Sequence, residues 1–364
     1  MCPSPDVTPP PCWIRWLECP ATMPPHRVIN ATAPIRICDN GGWTDTWVAR
    51  HGKVFNIAVR PLVTVRIDVF PSGSRDAPVV LDVENGETKY APDLDVSSWG
   101  PHPLLEAAFR EIRPPGDADI EVTIRSDAPA GASTGTSASV AVALLGALDR
   151  LTEGHRTNQE IANAAHAVET VHLGQQSGIQ DQLCAAFGGV NFIEMTEYPH
   201  AVVSSLPVPE SIRWALDRRL ALVYLGRPHS SSAVHEKVVR NLERLGPDCA
   251  QLDVLRAAAE RARDALVAGD LTALGSAMRD NTMAQAELHP ELVHDDAWRV
   301  IEIANAHGAA GWKVNGAGGD GGSITLLASD EPGAKRALVR AIVNDRPALV
   351  PIPIVISRDG LRVW

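Results

Sequence analysis

Basic side chains are in the minority, no cysteine pair stands at metal-binding spacing, and no apolar run is long enough to cross a bilayer. Against 44 acidic residues there are 33 basic ones, a formal charge of −11. That balance excludes a broadly nucleic-acid-binding or anionic-membrane-binding surface, but it leaves a local anion site open. The six cysteines (Cys2, Cys12, Cys19, Cys38, Cys184, Cys249) are scattered and too sparse for a disulfide framework, so they read as reduced thiols. The first residues lack a basic front followed by an apolar core, and the expectation is a cytoplasmic protein with no secretion signal. Glycine and proline, 28 each, follow no period, which excludes a collagen-like chain. What is present is 364 residues, 45% of them hydrophobic, enough for one large or two ordinary domains.

Residues 1–27 carry eight prolines and no strand or helix period, and are expected to be a disordered extension. Alternation in "RVINATAPIRI" and "KVFNIAVRPLVTVRIDVF" predicts strands around the turn-rich "CDNGGWTD", with Pro61 marking a break. Further on, an extended run through Val122 and Ile124 leads into a Gly/Ser/Thr loop. Val140, Leu144, Leu148 and Leu151 then recur at helical spacing. A second helix is expected over Asn158–His172, and a strand from "FGGVNFIEM". The second half reads as strands near Ala201–Leu206 and Leu220–Leu225. Helices follow over Ser232–Leu245, Gln251–Ala268, Leu271–Ala286 and Asp295–His307, and then a strand–glycine turn–strand, a helix near Gly333–Ile342 and a strand near Val350–Ile356. The pattern is α+β, with domains expected over 28–200 and 201–364.

Three polar constellations stand out. In "GASTGTSAS" (Gly131–Ser139), glycines permit close backbone approach, and a helix starting directly after offers unpaired N–H groups to phosphate oxygens. The stretch has no lysine and is not an ordinary P-loop; a flexible loop with a Ser/Thr helix cap is the plainer reading. Glu169 and Asp181 form an acidic pair that could divide the work, one on a hard cation and one near a hydroxyl nucleophile. Alternatively Glu169 faces solvent and Asp181 caps a helix from Gln182. Arg36 is a charge inside an apolar strand, unusual unless it meets a carboxylate or phosphate. Asp39 and Asp45 flank a glycine turn and could accept sugar hydroxyls. Gly316, Gly318, Gly319, Gly321 and Gly322 form either a ligand wall or a tight hairpin.

In this order the segments resemble the GHMP kinases, and within them the sugar-kinase branches. "GGWTDT" followed by "GKVFNIAV" is similar to the amino-terminal signature of L-fucose kinases and D-glycero-D-manno-heptose 7-phosphate kinases. "PAGASTGTSA" resembles the nucleotide-phosphate loop, "QDQLCAAFGGVNF" the catalytic-aspartate segment, and "VNGAGGDGG" the third, glycine-rich motif. The resemblance implies an amino-terminal domain like the second domain of ribosomal protein S5 and a carboxy-terminal ferredoxin-like domain with extra helices. It implies ATP and Mg2+, with Pro129, Gly131, Ser133, Gly135, Thr136, Ser137, Gly316, Gly318 and Gly319 around the nucleotide. Ser137 and Glu169 would hold the metal, and Asp181 and Arg36 would serve catalysis. Asp39, Gly42, Trp43, Thr44, Asp45, Asp181 and Arg227 would face the acceptor.

The expected reaction is transfer of the γ-phosphoryl group to a sugar hydroxyl, by preference the anomeric C1, of a fucose-like sugar or a heptose 7-phosphate. The alternatives are a kinase of a non-sugar alcohol, or a nucleotide-binding regulatory protein without chemistry. Arg227 and His229 could bind a distal phosphate or lie in an exposed turn. The protein is expected to act on a small molecule as a monomer or homodimer, with no nucleic-acid or membrane partner. Ser133 stands where the family pattern has a glycine, Thr134 replaces a common leucine, and Ala138 replaces a frequent serine. Asp320 interrupts the glycine motif and is expected to point into solvent, with contact to a substrate hydroxyl or amine as the alternative.

Overall fold

The computed structural model describes residues 24–83, 88–95, 98–226 and 232–364; most of the proline-rich extension lies outside the described residues. Two long strands, β1 (Arg27–Asn40) and β2 (Gly52–Pro71), pair antiparallel and form the spine of the first sheet. β3 (Val79–Val83) and β4 (Thr88–Tyr90) form its far edge, α1 (Pro103–Glu111) follows, and β5 (Ala118–Ser126) slots between β2 and β3. The chain then packs α2 (Thr136–Leu151), α3 (Asn158–Ala167) and α4 (Gln180–Phe187) on one face. It returns as β6 (Val190–Glu197) against the first part of β2, followed by β7 (His200–Ser205) against β6.

The second half begins with α5 (Glu210–Arg219) and β8 (Leu220–Tyr224). The helices α6 (Ser232–Leu245), α7 (Ala250–Ala268), α8 (Leu271–Leu288) and α9 (Asp295–Ala306) follow. Next come β9 (Gly311–Val314), β10 (Ser323–Leu327), α10 (Ala334–Asp345) and β11 (Val350–Ile352). Four strands form an antiparallel sheet in the order β11–β8–β10–β9. The chain finally crosses back: β12 (Val355–Ile356) pairs with β2 and β13 (Arg362–Val363) with β1. The expected division at 200/201 therefore falls within β7, and the last two strands belong to the first sheet. The single strand expected near Val350–Ile356 is two short strands serving different sheets.

Burial along β1 explains how the halves meet. Ile29, Ala31 and Ala33 alternate inward onto the core of α2 and α3, as a one-sided strand should. From Ala33 onward every β1 residue is buried, because α7 and α8 cover the other face and bring Ile35 and Ile37 into a core with Ala262, Leu274 and Met278. Arg36 is thereby carried into a doubly covered strand. Pro61 does not end β2: the register moves from Pro34↔Leu62 to Ile35↔Val59, so Arg60 and Pro61 form a bulge, and β12 pairs at Arg60. A bulge suits a residue without a backbone N–H to donate. The helix expected over Asn158–His172 is α-helical to Ala167 and widens into a π-turn over Val168–His172, closed by Leu173 N donating to Val168 O at 3.2 Å.

Candidate functional site

Four stretches converge with His235 of α6 on an open cavity of about 360 Å3. They are the turn after β1 (Gly42, Trp43, Asp45, Thr46), the loop Gly131–Ser137 ahead of α2, the entry to α4 from Gln176 to Asp181, and Gly316–Ala317 between β9 and β10. The loop is held from three directions. Arg36 N donates to Thr134 O at 2.9 Å, Ser323 Oγ donates to Ala132 O at 2.6 Å, and Arg36 Nη1 donates to Ser133 O. Gly135 caps α2 at φ 70° with no side-chain hydrogen bond, so the first-turn N–H groups face the cavity without a serine or threonine cap. A Cβ at Gly135 would lie 3.1 Å from Asp181 Cγ. Ser133, the departure from glycine, adopts the left-handed backbone a glycine would favour, at φ 53°, and its buried Oγ has no partner.

Arg36 and Asp181 lie 145 positions apart in sequence, yet Nε donates to Oδ1 at 2.7 Å and Nη2 to Oδ2 at 3.3 Å. Burial pulls the guanidinium pKa down, but Asp181 and then Asp39 outweigh it and the net shift is upward, so Arg36 stays charged. Asp181 lies in the first turn of α4, which begins at Gln180, and its carboxylate reaches Arg36 instead of capping that helix. Burial is also the main influence on Asp45: it lifts the carboxyl to about 6, opposed by the Gln180 N–H at 3.1 Å and reinforced by Asp181. Gly178 passes so close that a Cβ there would lie 2.1 Å from Asp45 Oδ2.

Glu169, in the π-turn, is buried and accepts hydrogen bonds from Ser177 Oγ at 2.6 Å and Gln182 Nε2 at 2.9 Å. Burial raises its pKa, and hydrogen bonds from Ser177, Gln182 and Ser137 work against that rise. Cys38 and Cys184 are buried free thiols, and burial raises the pKa of both, that of Cys38 to about 12. Neither is poised as a nucleophile.

Of the residues singled out in the sequence, Arg36, Gly42, Trp43, Asp45, Gly131, Ser133, Gly135, Thr136, Ser137, Asp181 and Gly316 line the cavity. Pro129, Asp39, Thr44, Glu169, Gly318 and Gly319 do not. Thr44 Oγ1 donates to Gly41 O at 2.7 Å and serves its own turn. Gly319 N donates to Leu292 O at 2.9 Å, and a Cβ on Gly318 would meet that same oxygen at 2.3 Å, so this pair packs against the short 3-10 turn Pro290–Leu292 that follows α8. Asp320 is exposed, with Oδ1 3.7 Å from His294 Nδ1. Arg227 and His229 lie outside the described residues.

Asp39 is fully buried behind the cavity. Oδ2 accepts from Gly316 N at 3.0 Å and Oδ1 lies 3.4 Å from Lys313 Nζ. Lys313 is 1% exposed; burial lowers its pKa and Asp39 opposes that shift. Sequence reading missed Lys313, although a lysine inside the apolar "GWKVNG" carries the same signal that drew notice to Arg36. It also missed Ser177, Gln180 and Gln182, whose polar side chains near a turn carry no such signal. The aromatic contact of Trp43 with His235 is visible only in three dimensions: the rings stack at 4.9 Å, and the indole Nε1 is buried without a partner.

Two family models match the chain, that of the GHMP kinases N terminal domain over residues 103–189 and that of the GHMP kinases C terminal over 262–343. The mevalonate kinase of Pyrococcus abyssi is 30% identical over 282 residues, 76% of this chain and 77% of that protein. The bifunctional fucokinase/GDP-fucose pyrophosphorylase of Arabidopsis thaliana is 25% identical over 323 residues, 83% of this chain but 30% of that longer protein. Among solved structures, a D-glycero-D-manno-heptose 1-phosphate kinase from Bacteriodes thetaiotaomicron superposes with a TM-score of 0.69 at 21% identity, covering 92% of this chain and 98% of the other.

Two outcomes follow from the buried charges. Because the folded pKa of Asp45 is raised from 3.8 to about 6, its contribution to stability is full below the unfolded value and is lost as pH rises through about 6. Unfolding free energies from denaturant titrations at about pH 4 to 7 should fall by on the order of 3 kcal/mol more in the wild type than in Asp45→Asn; parallel profiles would remove the assignment. Lys313→Met strands Asp39 and should cost ~3–5 kcal/mol in urea unfolding, with Asp39→Asn on the same chain recovering part of it.

Proposed function

Because the chain belongs to the GHMP kinases, phosphotransferases that use ATP and an alcohol acceptor, we propose that this member phosphorylates a sugar hydroxyl, by preference at the anomeric C1, to give a sugar 1-phosphate. The observation that carries this reading is the pairing of Asp45 with Asp181 on one cavity wall, facing the loop Gly131–Ser137. Carboxylates accept hydrogen bonds from hydroxyls, and the indole Nε1 of Trp43 is a buried donor still without a partner. Among the described residues, Arg36 is the one lysine or arginine lining the cavity, and it is already engaged by Asp181 and Ser133 O. This wall suits a neutral polyol better than an acceptor bearing its own carboxylate.

In this reading the N–H groups of the loop and of the first turn of α2 hold the ATP phosphates, with the hydroxyls of Thr136 and Ser137 beside them. Asp181 orients the acceptor hydroxyl and takes up its proton, while Arg36 fixes that carboxylate and balances charge on the transferred group. Asp45 and Trp43 bind the remaining hydroxyls. Glu169 fits a magnesium ion together with Ser137: it is a buried carboxylate whose hydrogen-bond donors, Ser177 and Gln182, are both neutral. Mg2+ needs few protein ligands when nucleotide phosphates complete its shell, in keeping with the absence of any group of three metal-binding side chains among the described residues. Bound there, the ion would supply neutralisation of phosphate charge.

The mevalonate kinase relative favours a second reading, a non-sugar alcohol as acceptor. ADP release over fucose, mannose, galactose, arabinose, heptose 7-phosphate and mevalonate separates the two, with phosphorus NMR locating the new ester. Turnover with a sugar and an ester at C1 are expected; turnover with mevalonate alone, or nucleotide binding with no acceptor-dependent release, overturns the proposal. Asp181→Asn should lower kcat by about a hundredfold or more while ATP affinity stays within a few-fold. Equal losses in both would deny Asp181 its place in the chemistry.

A further inference from the structure

A second cavity, of about 580 Å3, lies where the end of α5 meets the start of α10, and its walls are basic in a chain whose formal charge is −11. Arg218 and Arg219 approach from α5, Lys335 and Arg336 from α10, and the one acidic side chain in the lining is Glu331. Four features point the same way. First, α10 is capped by Gly333 with no side-chain hydrogen bond, and its first turn holds no acidic residue. Two cations therefore sit at the positive end of the helix dipole, the reverse of the stabilising arrangement.

Second, Arg219 is 8% exposed, with Nε spent on Ala328 O at 2.8 Å and, among the described residues, no bond from either Nη atom to protein, while its side chain lines the cavity. Third, burial lowers the pKa of both Arg219 and Lys335; Asp330 opposes this for Arg219, with Arg218 adding a smaller push downward, and Asp217 opposes it for Lys335. Fourth, the remaining partners are weak counter-charges. Arg218 pairs with Asp330, a contact in which both side chains are largely exposed, and Lys335 Nζ donates to a backbone carbonyl, Asp217 O, at 3.0 Å. Arg336 is exposed and, among the described residues, shows no hydrogen bond or ion pair.

From this juxtaposition we propose a second anion site, separate from the kinase cavity, that takes a small phosphate-bearing molecule on the Nη groups of Arg219, the side chain of Arg336 and the open N-terminus of α10. Phosphate is the ligand class that uses all three at once, since a guanidinium fork and helix N–H groups both match its oxygens. The site would not detect a neutral sugar. If the acceptor proposed above is right, it separates phosphorylated from unphosphorylated molecules on the product side of the reaction. The strand β10 joins the two places: Ala328, just past its end, holds Arg219, and Ser323 at its start holds Ala132 in the phosphate loop.

Inorganic pyrophosphate is the probe, titrated into the full chain and followed by hydrogen–deuterium exchange. The wild type should show protection over residues 330–338 as well as at the phosphate loop. Arg336→Glu, an exposed change, should weaken the 330–338 response at least tenfold, and Arg219→Gln should do the same. Loop protection and turnover without pyrophosphate should be unchanged in Arg336→Glu. Protection confined to 131–137, or an equal response at 330–338 in wild type and Arg336→Glu, overturns the site. This readout needs no acceptor, so its failure is distinct from failure of the sugar-kinase reading.

Discussion

The bidentate contact between Arg36 and Asp181 is the constraint around which the rest of the cavity is organised. A guanidinium in a doubly covered strand is tolerable only if a carboxylate meets it with good geometry, because either charge left alone would carry the full cost of desolvation. Meeting that condition fixes the start of α4 against the middle of β1. It also fixes the loop, because the same arginine donates from its backbone to Thr134 O and from Nη1 to Ser133 O. Gly135 is the residue type that lets α2 begin at φ 70° so close to the Asp181 carboxylate. One side chain therefore joins the strand, the loop Gly131–Ser137 and the start of α4.

Behind this pair lies a second, more deeply buried one, Asp39 with Lys313, which ties the turn after β1 to the strand before Gly316. The result is a layered arrangement of charge. Asp39 balances Lys313 and adds to the field on Arg36; Arg36 balances Asp181; Asp45 stands at the wall, where burial raises its pKa and neighbouring carboxylates raise it further. Formal charge over the whole chain describes none of this. An acidic protein can offer phosphate a favourable site when the cradle is built from backbone N–H groups and hydroxyls and the carboxylates beside it are individually paired or hydrogen-bonded.

Legibility in the sequence followed the strength of local signals. The loop Gly131–Ser137 and the helix after it were readable because glycine and small hydroxyl residues directly before an apolar helix make a local pattern. Arg36 was readable because charge inside an alternating strand violates expectation. Asp39 looked equivalent to Asp45, since both flank the same turn, and only the packing of β9 shows that Asp39 faces Lys313 while Asp45 faces the cavity. The π-turn at Val168–His172 was hidden because helical periodicity cannot register one extra residue per turn when Glu169 must reach Ser177 and Gln182. The return of β12 and β13 to the first sheet was equally hidden: strands of two residues have no periodicity, and their partners lie about three hundred residues earlier.

The same layering bears on which acceptor the cavity favours. Phosphoryl transfer brings nucleotide phosphates toward a wall that already holds two carboxylates, so a cation must stand between them. In the proposed mechanism that cation is Arg36, with Nε and Nη1 committed and Nη2 keeping one N–H beyond its bond to Asp181. A neutral hydroxyl acceptor leaves that N–H available to the transferred group. An acceptor carrying a carboxylate would compete for it and would add a further negative charge beside Asp45 and Asp181, at separations where unscreened like charges repel by several kcal/mol, at about 4 kcal/mol for 4 Å and an effective dielectric of about 20. The positive charge needed to offset that repulsion is not on this wall among the described residues, and the argument from charge therefore runs toward a polyol.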